Sequence, residues 1–159
     1  MKGTLVGIFI AAQEGDPIKQ VESVWAVPGR GLEGDRYHNR VVRQGSPPDG
    51  KPRDVTLIEA EAIEAVKRDC GIELAWGDSR RNLVTRGLAL NHFVGRRFQI
   101  GEVVIEGVEL CEPCGLLERM TQPGVRQALI HRGGLRARIV NESVLHLGDT
   151  IEPLDADEH

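Results

Sequence analysis

Apolar, β-branched runs in this chain are short, and glycine or proline cuts almost every one of them within about ten residues. Residues 4–11 (TLVGIFIA) read as a buried strand that ends before the turn Gly15-Asp16-Pro17. Residues 20–27 (QVESVWAV) alternate, with Val21, Ser23, Trp25 and Val27 as the fairly apolar face, and Pro28-Gly29-Arg30-Gly31 breaks them. Further strand-like runs follow at 54–59, 83–85, 96–100, 102–110, 135–140, 144–147 and 150–151. Helical periodicity is limited. It is clearest over Glu59–Cys70, where Ala62, Ile63, Val66 and Cys70 share one face and Cys70 reads as a small buried apolar group. Glu64 is spaced to pair with Arg68, and Gly71 is a suitable C′ residue. Pro123-Gly124 opens a second helix over Val125–His131, and Gly115–Met120 suits a single turn. Many short strands with two clear helices predict a β-rich, barrel-like fold. The length predicts one domain over 1–159, with its core at about 5–152 and an acidic tail at 154–159.

Composition narrows the function. With 40% hydrophobic and 28% charged residues the chain is ordinary for a soluble protein, and a net charge of −4 argues against non-specific nucleic-acid binding. The apolar run at 4–11 leads straight to Glu14 and Asp16, so it reads as a first strand and not an export signal. No apolar stretch approaches the ~20 residues of a membrane span. Three cysteines do not make a secreted disulfide framework, and the expected compartment is the cytoplasm.

Chemistry concentrates between Ser79 and Leu117. Arg80, Arg81, Arg86, Arg96 and Arg97 are interleaved with Asn82, Thr85 and Asn91, and the stretch ends in Cys111-Glu112-Pro113-Cys114. Arg81-Asn82 with Thr85-Arg86 combines cations, an amide and a hydroxyl, a set able to hold a phosphate and the edge of a heterocycle. A solvated basic face paired with this chain's acidic residues is the plainer reading, and Arg96 and Arg97 fit it well. Glycines of the segment His131–Arg136 offer backbone N–H groups to the same anion. The cysteines allow three chemistries: half of a zinc site, a redox dithiol, or one working thiolate with Cys111 as a neighbour. Asp35, Arg36 and His38 follow Gly31 and Gly34 on what reads as a loop, where a structural Asp–Arg pair is the simpler expectation. The proline-rich segment 44–53 reads as a further loop and a candidate lid.

Taken together, Gly34-Asp35-Arg36 with His38, Val55-Thr56-Leu57-Ile58-Glu59, Arg80-Arg81-Asn82-Leu83, Arg86-Gly87, Leu90-Asn91, Gly95-Arg96-Arg97-Phe98, Ile100-Gly101 and Cys111-Glu112-Pro113-Cys114 resemble a MOSC domain. That family takes its name from the C-terminal domain of molybdenum cofactor sulfurases, and the resemblance spans about 5–152. It implies a β-barrel that binds molybdenum cofactor, a pterin carrying a dithiolene and a phosphate. By that resemblance Cys114 is the metal ligand or the carrier of a sulfane sulfur. Arg81, Asn82, Thr85 and Arg86 lie at the pterin and phosphate, and Asp35, Arg36 and His38 lie beside them. Where many relatives have His-Gly-Gly, this chain has His38-Asn39-Arg40 and then the proline-rich loop. The resemblance implies either a small molybdenum-dependent reductase of N-hydroxylated compounds or a sulfur-transfer module. The first needs an electron-donor protein; the second needs a cysteine desulfurase or molybdoenzyme partner. The edge strands of a small barrel permit a homodimer without requiring one. The rival of a different class is a cofactor-free binding module with a redox-active or incidental Cys111/Cys114 pair.

Overall fold

A computed structural model describes residues 2–113 and 115–154, without the side chains of Gly115 and Leu116. The strands in chain order are β1 (Gly3–Ile10), β2 (Lys19–Gln20), β3 (Ser23–Val27), β4 (Gly31–Leu32), β5 (Val55–Glu59) and β6 (Leu83–Arg86). They continue as β7 (Arg97–Ile100), β8 (Val103–Leu110), β9 (Leu135–Ile139), β10 (Ser143–His146) and β11 (Thr150–Pro153). The α-helices are α1 (Arg36–Gln44), α2 (Ala60–Cys70), α3 (Gly115–Met120) and α4 (Val125–Ala128). Single 3₁₀ turns lie at Trp76–Ser79 and Leu90–Phe93.

Seven strands close into a barrel in the order β11-β7-β8-β9-β5-β6-β1, and the pairing of β1 with β11 seals it. All neighbours are antiparallel except β5 and β6, which run parallel with Leu57 opposite Leu83. A parallel pair needs a long crossover, and α2 supplies it on the outside of the wall. Strand alternation separates two cores. Leu57, Leu83, Phe98, Ile100, Ile105 and Leu135 point inward, while Ile58 and Val84 point outward under Ala62, Ile63 and Val66 of α2 and Val125 and Leu129 near α4. A register shift between Leu5 and Gly7 lets β1 serve both: Leu5 and Ile8 face the barrel interior, and Phe9 faces the helices. The small sheet β10-β3-β4 adds Val24, Ala26, Leu32 and Leu145 to the interior cluster.

The β-rich expectation holds, with local corrections. The strand expected over 20–27 is two pieces, and its buried face is Val24 and Ala26; Trp25 is 48% exposed. Covering the barrel's interior decided the face, and the small residues fit there where the indole does not. Helix α1 occupies residues that read as loop, because the glycine and proline clusters on either side hide its nine residues. Val125–Ala128 is shorter than the expected helix. Gly71 does cap α2 in the left-handed region, φ 70°. Cys70 is exposed and not buried, since the last turn of α2 runs past the barrel wall. Glu64 pairs with Arg86 instead of Arg68, which turns to its neighbour Asp69.

Candidate functional site

The loop between the 3₁₀ turn Trp76–Ser79 and β6 is where the chain's distant motifs meet. Arg80 has φ 59°, a left-handed conformation that costs a non-glycine residue ~1 kcal/mol or more. Its carbonyl accepts from the Arg36 guanidinium at 2.9 Å, and its own guanidinium donates to the Asp16 carbonyl at 2.9 Å. Burial first, then the charge of Arg36, holds the Arg80 pKa below its ordinary value. Such a crowded cation is stabilised by an arriving anion.

Arg81 points the other way. Its Nε donates to the Gly133 carbonyl at 2.8 Å, and Nη2 donates to the carbonyls of Cys111 at 3.3 Å and Glu112 at 3.4 Å. One planar fork thus ties the Cys-Glu-Pro turn to the start of β9. The join is tight: a Cβ on Gly133 would lie 2.5 Å from the Cys111 carbonyl oxygen and 2.9 Å from Pro113. His131, φ 64°, flanks the same turn, and its N–H donates to the Glu112 carboxylate at 3.2 Å. Among the described residues, Arg80 and His131 are the two non-glycine residues with positive φ, and strain of this kind clusters at functional sites. The Cys111 thiol is buried, 4% exposed, with the Arg136 guanidinium 4.0 Å from its sulfur. Arg136 is itself held by Glu109 at 2.8 Å. Cys114 lies outside the described residues.

Asp35 and Asn82 form the buried frame beneath these cations, at 2% and 4% exposure. Asp35 accepts from the Ala11 N–H at 3.0 Å, from Arg36 at 3.1 Å and from the Asn82 amide at 3.2 Å. The Asn82 carbonyl oxygen accepts from the N–H and hydroxyl of Thr56, and its NH₂ also reaches the Phe9 carbonyl. These side chains hold β1, β5 and the start of α1 together. The Asn82 amide is fully engaged inside the protein and Asp35 is closed in by three donors, so the pair braces the segments that carry Arg36 and Arg80. His38, on α1, keeps a buried Nδ1 without a partner among the described residues.

Thr85 and Arg86 do not join the set, a correction to the expected grouping with Arg81 and Asn82. Thr85 follows Leu83 on the inward face of β6 and is fully buried, its hydroxyl without a partner among the described residues. Arg86 leaves through the outer face, pairs bidentately with Glu64 at 2.9 and 3.0 Å, and stacks over Trp76. One residue of alternation separates them from each other, and the length of β6 separates both from Arg81.

The arginines line a cavity of about 740 Å³ between α1, the 80–81 loop and the start of α3. Arg36, Arg40 and Arg43 come from α1 and Arg80 and Arg81 from the loop; Arg53 and Arg136 complete the ring. Among the described residues Glu14 is the one carboxylate in the lining. Arg40, Arg43, Arg53 and Arg136 escaped the sequence reading. For the first two a signal existed: Arg36, Arg40 and Arg43 repeat at helical spacing opposite buried Val41.

A donor set of this kind fits a phosphorylated ligand: guanidiniums suit phosphate bidentately, and the cavity is of cofactor size. Among the described residues no three His, Cys, Asp or Glu side chains gather as a protein-only metal site requires.

Fold and site therefore define a closed β-barrel with an arginine-lined cavity beside a cysteine-bearing turn. A family model for the MOSC domain matches residues 44–152, and the chain belongs to that family. YuaD from Bacillus subtilis is similar in structure, with a TM-score of 0.79 at 17% identity over 96% of both chains. YiiM from Escherichia coli superposes at 0.70 with 20% identity, covering 98% of this chain and 70% of that one. YiiM from Geobacillus stearothermophilus gives 0.70 at 15% identity, covering 96% and 75%. At these identities the likeness is one of fold. No curated protein matches the chain in sequence.

Proposed function

We propose that this protein binds molybdenum cofactor and, once loaded, reduces N-hydroxylated compounds. The observation that carries the reading is the arginine-lined cavity built on a MOSC barrel against the turn that leads to Cys114. Arg36 and Arg80 hold the cofactor's phosphate, and Cys114 provides the thiolate that ligates the metal. When bound, the molybdenum centre supplies two-electron chemistry. Everything else is the work of the chain. Arg81 fixes the carbonyls of Cys111 and Glu112, so the turn does not drift when a ligand enters. Asp35 and Asn82 hold the loop that carries Arg80. Exposed residues of α1 leave the cavity's outer side open to a small substrate. Conversion of N–OH to N–H releases water and consumes two electrons, which an electron-donor protein supplies, and two protons, which come from solvent.

The test is elemental analysis of protein made in a cofactor-producing host. Stoichiometric molybdenum that is lost in Cys114→Ser and kept in Cys111→Ser supports the reading. Protein free of molybdenum and of oxidised-pterin fluorescence after reconstitution counts against it. Loaded protein that shows no amidoxime reduction but carries cyanide-labile sulfur on Cys114 is a sulfur-transfer module instead.

A further inference from the structure

Helix α1 carries a charge pattern that the cofactor's phosphate does not use up. Arg36, Arg40 and Arg43 stand at i, i+4 and i+7, within about 60° of one another around the helix, and all three line the cavity. Arg36 is committed to Asp35 and the Arg80 carbonyl. Among the described residues neither Arg40 nor Arg43 has a hydrogen-bond or ion-pair partner, and no carboxylate sits three or four residues from either. Like charges at that spacing destabilise a helix. Arg43 in the last turn suits the helix dipole; Arg40 has no such reason to be there. The rise of the helix sets Arg43 about 10 Å beyond Arg36, roughly a screening length at physiological salt. One phosphate at the inner end leaves the outer pair unsatisfied.

We propose that Arg40 and Arg43 form a substrate-side anion subsite, so that the preferred substrate is an N-hydroxylated compound bearing a phosphate or carboxylate. This rests on the cofactor reading of the inner cavity. The anionic group is held and not altered; the N–OH end undergoes the two-electron, two-proton reduction described above. Arg53 borders the same cavity, but Asp49 on the proline-rich segment already pairs with it.

The experiment compares benzamidoxime with 4-carboxybenzamidoxime and 4-amidoximophenyl phosphate on the loaded protein. The expected result is a kcat/KM about tenfold higher for the anionic substrates at low salt, shrinking as salt rises. In R40A/R43A the ratio of anionic to neutral substrate falls to near one, and R40K/R43K restores part of it. A wild-type ratio near one overturns the proposal, as does an equal fall for all three substrates in R40A/R43A. The stronger of the two anionic substrates says which group the subsite takes. A second readout needs no turnover: R40A/R43A weakens phenyl phosphate binding to the cofactor-free protein about fivefold by titration calorimetry, and unchanged binding overturns the subsite. If benzamidoxime is not reduced at all while phenyl phosphate still depends on Arg40 and Arg43, the redox reading fails and the subsite stands.

Discussion

The Asn82 amide donates to the Asp35 carboxylate at 3.2 Å, joining two motifs that lie 47 residues apart in the chain. Both side chains are buried, and between them they satisfy the Ala11 and Thr56 N–H groups and the Phe9 carbonyl. Asn82→Ala takes this partner from the Thr56 N–H, the Phe9 carbonyl and the second Asp35 oxygen, so a loss of about 2–4 kcal/mol is expected. Denaturant unfolding reads it as a lower midpoint with an unchanged slope. A loss below ~1 kcal/mol would mean that Asn82 belongs to the ligand and not to the frame.

Arg81 acts on the cysteine turn through backbone carbonyls alone, so its substitution should loosen that turn before it affects the barrel. In a Cys70→Ser/Cys114→Ser background, Arg81→Ala is expected to speed thiol labelling of the buried Cys111 about tenfold. The midpoint of global unfolding moves much less. Lysine has no planar fork, so Arg81→Lys should behave like the alanine variant. Labelling at the parent rate in both variants would rule out the tether.

Asp54 gives stability a pH slope. Burial raises its pKa above the ordinary 3.8, against the N–H groups of Ile139 and Gly29 that donate to it and favour the charged form. Between the unfolded value and the higher folded one, the folded state holds the extra proton, so this group's contribution falls as pH rises through that window. Asp54→Asn carries no such proton. Relative to the parent it should gain stability from pH 4 to pH 7, whatever its offset at pH 4. Asp49 and Asp69, held at about 2 by Arg53 and by Arg68 with Arg132, have the opposite slope and lose their small, exposed contribution as pH falls toward 2. A flat or falling difference curve in urea titrations would contradict the assignment to Asp54.

Thr85 and Arg86 lie apart from the arginines that line the cavity. Thr85→Val removes from the barrel interior a hydroxyl without a partner among the described residues and should stabilise by about 1 kcal/mol. Arg86→Ala breaks an exposed pair with Glu64 and should cost less than ~1 kcal/mol. Both variants are expected to retain parental molybdenum content, whereas Arg80→Ala should lose most of it. Depleted metal in Thr85→Val or Arg86→Ala would return that residue to the cavity.

Most of the barrel was legible because β-branched runs and glycine breaks are local signals, and the structure keeps them at 3–10, 55–59, 103–110 and 135–139. What failed depended on tertiary context. The two faces of β3 are both apolar enough to be buried, so only the barrel could choose Val24 and Ala26 over Trp25. Helix α1 has a mostly polar sequence with one buried residue, Val41, and flanking glycines and prolines that read as loop. At the site, Arg81, Asn82, Thr85 and Arg86 are close in sequence but split by strand alternation and strand length. Residues far apart, Arg36, Arg53 and Arg136, converge instead. A linear motif shows which residue types are available; the direction of each side chain comes from the closed sheet.

The seam between β1 and β11, with Gly3 opposite Ile151 and Thr4 opposite Thr150, has a consequence for folding. β1 gains β11 as a neighbour only through a contact between segments that lie almost the whole barrel sequence apart. Until that contact forms the barrel exposes two unpaired edges, where stray strands can add. Closing so long a loop also places this protein among slow folders with many non-local contacts. The short β1–β11 pair therefore decides whether the sheet closes or keeps two edges open to other strands.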